Sequence, residues 1–342
     1  MRSKRPKVML KILFDAIMIK NNFSRLINKS LFNIWRYSYF YPKIKKENQL
    51  TLGEGWTKEV EIKNITKKFH LKHLYFKRED LNPTGSHKDR FSAYIVSKML
   101  NERKNKAVIP SSGNAAISAA AYCNLANIRL TAVVRPDINK VKLKQLKRYK
   151  PEIIKTNDVI GKAKALEKKG LTNLRQSSNP HSKYGYMSIG FELYEKIGLI
   201  DAIFLPVSSA ATLLGIYESF LELKKMRLID NLPRIDAVQT EAVAPIAGSF
   251  QTFKEKKKSI ADGIVAKDPP TKNTAIKAIK QTNGSGWVVS DKEILEALHI
   301  LNKNGLDTSP EGGAAFAAVM KASKKEKAGK AVCLLTGNAS RW

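Results

Sequence analysis

Asn82-Pro83-Thr84-Gly85-Ser86-His87-Lys88-Asp89-Arg90 runs from a turn into a helix. Pro83 and Gly85 mark the turn, and Phe91, Tyr94, Ile95 and Met99 repeat at helical spacing behind it, so Lys88 stands where loop becomes helix. A lysine amine in that place lies near backbone N–H groups and positive partial charge, which disfavour its protonation, and burial lowers its pKa further. Partly deprotonated, such an amine forms a Schiff base with an aldehyde. One lysine in a chain with 61 Lys+Arg is ordinarily a solvated surface residue, so this reading depends on its company.

Outward from that stretch the pattern alternates between strand and helix. A strand over 74–77 leads into the turn. After Lys88 come a helix to about residue 104, a strand over 107–110, and Ser111-Ser112-Gly113-Asn114 opening a helix rich in small residues. The 111–115 turn presents free amides suited to a carboxylate, although a plain capped turn has the same appearance. A strand over 130–134, a basic helix over 139–149 and a strand over 153–156 complete a small α/β unit that ends near Tyr184-Gly185-Tyr186. A strand over 202–207 then runs through Ser208-Ser209-Ala210-Ala211-Thr212 into a helix over 213–225, an order that can cradle a phosphate. No glycine occurs there before Gly215. Positive φ is costly at serine or alanine, but a turn needing only negative φ would still present amides, with Ser208, Ser209 and Thr212 as added hydroxyl donors. Strands over 235–239, 286–290 and 331–335 follow, with Ser290 or Asp291 capping a helix over 293–303. This alternation predicts an α/β fold with helices on both faces of each sheet.

The 342 residues suffice for one large or two ordinary domains, and 43% hydrophobic with 27% charged residues describes a globular protein with a real core. Cys123 and Cys333 lie in apolar stretches without a pairing pattern, which implies a reducing, cytoplasmic setting. The formal charge of +31 would attract nucleic acid, but the lysines are scattered through every predicted helix and form no tract interleaved with aromatics, so no specific nucleic acid is expected as partner. Residues 1–50 read as a basic N-terminal extension. Its apolar run at 8–19 is interrupted by Lys11 and Asp15 and is too short for a membrane span. His70 and His73 are spaced to share a helix face, but nothing completes a metal set and no metal is expected.

Two motifs in order, 82–90 and 111–114, resemble the fold-type II pyridoxal phosphate enzymes, and the threonine synthase branch most. Trp35-Arg36-Tyr37 and Leu52-Gly53-Glu54-Gly55 are similar to segments near the start of threonine synthases, with Trp56 and Lys58 replacing a small residue and a proline. Asp262-Gly263, Ser309-Pro310-Glu311-Gly312-Gly313 and Thr336-Gly337-Asn338 also match in kind.

The resemblance implies two three-layer α/β/α domains with pyridoxal 5'-phosphate in the cleft between them. The large cofactor-binding domain would take 51–92 and 190–342, and the smaller substrate-side domain, inserted in it, 93–189. It puts the cofactor on Lys88, with His87, Asn114, Ser208, Ser209, Ala210, Ala211, Thr212 and Thr336 around it. Ser86, Ser111, Ser112, Gly113 and Asn114 would hold an amino-acid substrate. Glu311 either shapes this site or simply favours its helix N-terminus. The implied activity is that of a homodimeric lyase converting O-phosphohomoserine to threonine and phosphate. Its alternatives are a serine or threonine dehydratase, a cysteine synthase-like enzyme, and a non-catalytic homologue with a basic binding surface.

Overall fold

The computed structural model of the chain describes residues 23–325 and 329–339, so the apolar run at 8–19 lies outside the described residues. The strands are β1 (Glu59–Glu61), β2 (His73–Arg78), β3 (Lys106–Pro110), β4 (Arg129–Val134), β5 (Glu152–Lys155), β6 (Thr172–Asn173), β7 (Ala202–Pro206), β8 (Arg234–Thr240), β9 (Gly286–Val289) and β10 (Lys330–Leu335). They form a six-stranded sheet, in the order β1-β2-β10-β7-β8-β9, and a four-stranded sheet, β5-β4-β3-β6. Only β1 runs antiparallel to its neighbour. Parallel strands need crossovers, and helices supply them: α1 (Lys63–Lys68), α2 (Lys88–Asn101), α3 (Asn114–Leu125), α4 (Lys140–Lys147), α5 (Val159–Lys168), α6 (Ser182–Ile197), α7 (Ala211–Lys225), α8 (Lys272–Gln281), α9 (Asp291–Lys303) and α10 (Pro310–Ala322).

Period-two alternation sorts the strand residues between helix layers. On β7, Ile203 and Leu205 enter the main core, while Ala202 and Phe204 enter a second core with α9 and α10. Val332 and Leu334 on β10 repeat the first choice, and Ala331 and Cys333 the second. In the four-stranded sheet Ala107 and Ile109 face that same main core, and Val108 turns outward to Val133 and Ala163. The α/β expectation therefore holds, with helices on both faces of each sheet.

Residues 23–50 pack into the body: Ile34, Trp35 and Tyr37 are buried in the main core, and Arg36 pairs with Glu195 on α6. Trp56 adopts a left-handed φ of 49°, and its ring lies beneath Arg36 and Lys196 at 4.3 and 4.5 Å. Helices α6 and α7 are in close contact because glycine permits it. A Cβ on Gly215 would lie 2.5 Å from that of Tyr186.

The structure adds elements that pattern reading passed over, namely β1, α1, α5, β6 and α8. It also corrects the histidine pair. His70 has left the helix with φ 52° and His73 begins β2, bonded to Glu61 at 2.9 Å, so the two share no helix face. No group of metal-binding side chains occurs among the described residues, and none of their helices is long and apolar enough to cross a membrane.

Candidate active site

The turn before Lys88 is closed by its own side chains. Gly85 takes a φ of +79° and donates its N–H to Asn82 O at 2.7 Å. Asp89, in the first turn of α2, accepts from Thr84 N and from the Thr84 hydroxyl. The next residue, Arg90, is fully buried and bound by Glu79 and Glu192 at 2.6 Å each, with Lys77 on Glu192 from the other side at 2.6 Å. A buried ion network thus anchors the start of α2. It leaves Lys88 little freedom of backbone position.

Strand ends and helix starts converge on this point. His87 N and Nδ1 both bond the carbonyl of Thr336, at 3.2 and 3.0 Å. Burial and the nearby Lys88 hold the imidazole well below its ordinary pKa, so it stays neutral and donates. Ser86 bridges to Gly337, whose carbonyl accepts from Ser309 N at 2.7 Å and Thr308 Oγ1 at 3.0 Å. A Cβ on Gly337 would lie 2.9 Å from Ser309 Oγ and 3.3 Å from Asn114 Nδ2, which brings α3, α10 and the end of β10 together.

Lys88 Nζ donates to Gln176 Oε1 at 2.9 Å and stands 5.8 Å from the Tyr186 ring centroid. Tyr186 donates its hydroxyl to the same oxygen at 3.0 Å and also meets Thr212 in the first turn of α7. Burial brings the Lys88 pKa down to about 8, and the charge of Glu311, buried in the first turn of α10, opposes that fall. The lysine is thus partly deprotonated near neutral pH, as its place in the sequence predicts.

In the Ser208–Thr212 segment Ala210 adopts φ +60°, so the turn contains a left-handed residue without a glycine, in spite of its cost to alanine. The reason is tertiary: Ser208 Oγ accepts from Val265 N and Ala266 N at 3.3 Å each, and Ser209 O accepts from Thr271 Oγ1 at 2.6 Å, which pins both sides of the bend. No side chain caps α7 or α3, whereas Asn139, Asp158 and Ser290 cap α4, α5 and α9. The first-turn amides of α7 thus have no side-chain cap, as at a helix N-terminus able to receive an anion.

The hydroxyls of the other expected serines accept from backbone N–H groups and keep their own protons to give. Ser111 Oγ accepts from Gly113 N at 3.2 Å, Ser112 Oγ from Arg135 N at 3.1 Å, and Ser86 Oγ from Lys88 N at 3.4 Å. Gly113 has open space where a Cβ would project. Gln176 and Tyr186 escaped sequence reading, because both come from the crossover 174–186 and meet Lys88 only in three dimensions. Glu311 reaches both places foreseen for it, the helix N-terminus and the surroundings of Lys88.

Residues 50–337 match the family profile described as pyridoxal-phosphate dependent enzyme. The chain belongs to that family. Within it the protein is of fold-type II and of the threonine synthase type. It is 30% identical to the threonine synthase of Methanocaldococcus jannaschii, over 96% of this chain and 86% of that protein. It is 28% identical to the threonine synthase of Methanosarcina acetivorans, over 96% and 85%. Among solved structures it resembles maize serine racemase with a TM-score of 0.72 and 19% identity, covering 83% of this chain and 88% of that one. Serine racemase from Dictyostelium discoideum superposes with a TM-score of 0.71 and 21% identity, over 82% and 92%. These two likenesses concern the fold.

The cofactor of this pyridoxal-phosphate enzyme is pyridoxal phosphate, and the residues present suit it. An aldehyde needs an amine near neutrality, which Lys88 supplies. A phosphate needs N–H and hydroxyl donors, and the uncapped start of α7 offers amides beside Thr212 and beside Ser208, whose oxygen accepts two N–H groups and keeps its proton to give.

Proposed function

We propose that this lyase is a threonine synthase, converting O-phosphohomoserine to threonine and phosphate. The observation that carries the proposal is the amine of Lys88, held by Gln176 at 2.9 Å at the head of α2 with a pKa near 8. Relatives named threonine synthase, similar along nearly the whole chain, support this choice of substrate.

Pyridoxal phosphate, when bound, supplies an electron sink for charge developing on the substrate's carbon. Lys88 would hold the cofactor aldehyde, and its free amine would move protons as base and as acid. Ser208, Ser209, Ala210, Ala211 and Thr212 would hold the cofactor phosphate, with His87 beside them, and Asn114 and Thr336 would hold the ring. A threonine such as Thr336 would not keep a ring nitrogen protonated as a carboxylate would, which suits chemistry at the substrate side chain. Ser86, Ser111, Ser112, Gly113 and Asn114 orient the substrate carboxylate.

The four-stranded-sheet unit, 93–189, serves as the substrate-side domain, inserted in a large domain of 51–92 and 190–342, and two chains form a homodimer. Cys123 and Cys333, both free and buried, suit a reducing cytoplasm.

The test is the visible spectrum of purified protein with pyridoxal phosphate, with borohydride reduction and Lys88→Ala as control. A reducible band absent from the variant, followed by phosphate release from O-phosphohomoserine, supports the proposal. A keto acid without phosphate release replaces the substrate assignment with a dehydratase. No band overturns the role of Lys88.

A further inference from the structure

The polar partner of Lys88 lies outside every motif that identified the site. Gln176 sits in the short crossover between β6 and α6, and its side chain is almost completely buried. Its Oε1 accepts two hydrogen bonds, from Lys88 Nζ at 2.9 Å and from the Tyr186 hydroxyl at 3.0 Å. Tyr186 is itself fixed. It is buried on α6, packs against Gly215 of α7, and meets Thr212 at the head of that helix. The amide oxygen is therefore presented to Lys88 from a rigid support.

A carbonyl oxygen only accepts, so it orients the nitrogen by one N–H and directs the rest of the amine away from itself. It binds an ammonium more strongly than a neutral amine, because hydrogen bonds to charged donors are the stronger ones. Of the charged groups near Lys88, Glu311 from α10 favours its protonation, while His87 is neutral and Arg90 is neutralised by Glu79 and Glu192.

We propose that Gln176 is a positioning residue for Lys88, holding the amine whenever it is not joined to the cofactor and so setting where its nitrogen points and how readily it exchanges a proton. This rests on the reading of Lys88 as cofactor carrier. The lysine has to pass between carrier and proton mover, and an uncharged acceptor suits that passage. A carboxylate in its place would lock the lysine as an ion pair.

The test is competitive labelling of the full-length, cofactor-stripped protein with acetic anhydride across a pH series, read by mass spectrometry on the peptide containing Lys88. Wild type, Gln176→Glu and Gln176→Met are compared, with thermal melts to confirm that each folds. The wild-type midpoint is expected near pH 8. Gln176→Glu should raise it by about 1–3 pH units, as an adjacent opposite charge does. Gln176→Met should lower it by about one unit, because the acceptor is lost while burial remains. The rate of pyridoxal phosphate capture at pH 7, followed by absorbance, should change in the same order as the neutral fraction: slower in Gln176→Glu and faster in Gln176→Met.

Midpoints of folded variants that coincide with wild type overturn the proposal, as does a capture rate indifferent to them. Labelling reads the Lys88 amine without the cofactor. Failure of Lys88 as carrier would appear as absent capture with the labelling shifts intact, and is thus distinct from failure of Gln176.

Discussion

Lys142 on α4 and Asp262, in the loop before α8, form a two-point ion pair, with the ammonium 2.8 and 2.7 Å from the two carboxylate oxygens. Helix α4 belongs to the four-stranded-sheet unit. Asp262 belongs to a loop that contacts the site twice, through Gly263 N to Glu311 Oε1 at 2.7 Å and through Val265 N to Ser208 Oγ at 3.3 Å. The pair ties the smaller unit to the loop that braces both the Ser208–Thr212 turn and the Glu311 carboxylate.

Asp262→Asn should therefore act on function more than on stability. The carboxylate is half exposed, so the pair contributes only about 0.2–1 kcal/mol to folding. A melt should shift by no more than a few degrees, while KM for substrate rises and loses part of its dependence on added salt. Steady-state kinetics across a sodium chloride series checks this, and equal salt slopes in variant and wild type would count against a functional role for the tie.

Glu192 should be among the least replaceable side chains. It is fully buried and accepts from Arg90 at 2.6 and 2.8 Å, Lys77 at 2.6 Å and Trp56 N at 2.8 Å. Glu192→Ala leaves two buried cations short of a partner, which costs about 3–5 kcal/mol. Denaturant titration measures the loss, and cofactor capture should weaken with it because Arg90 stands two residues from Lys88.

Ala210 holds a left-handed φ of +60°, a conformation that costs a residue with a Cβ about 1–2 kcal/mol. Ala210→Gly removes that strain but adds freedom to the unfolded chain and deletes a buried methyl, so net stability should stay within about 1 kcal/mol of wild type. Ala210→Val should be worse by more than about 2 kcal/mol and should weaken cofactor retention, since a β-branched residue resists this φ. Urea unfolding and equilibrium dialysis of the cofactor distinguish these outcomes.

Glu54 predicts a pH dependence of folding. Burial pushes its carboxyl up to about 7, while Tyr122, Leu52 N and Thr51 bond it and resist that rise. The native state thus binds a proton that the unfolded chain has released above its ordinary value of 4.5. Stability from this group falls as pH rises from about 4.5 through about 7, and stays level above that. Glu54→Gln should flatten this part of the curve, which melts between pH 4.5 and 8 would show.

What the chain alone determined is whatever local spacing encodes. Lys88 at a helix start, the strands at 106–110 and 129–134, and the Ser290 cap follow from periodicity and turn chemistry within a few neighbouring residues. Helix α5 escaped because only Ala163 of its residues is buried, and α8 because only Ala275, Ala278 and Ile279 of its residues are. Only the tertiary structure decided the rest. Ala210 takes a left-handed angle because segments 265–266 and 271 hold the turn from outside, against its own backbone preference. Lys88 finds its acceptor 88 positions away in Gln176, and Lys142 finds Asp262 120 positions away. Such contacts depend on chain crossings between two sheets, which leave no period in the sequence to read.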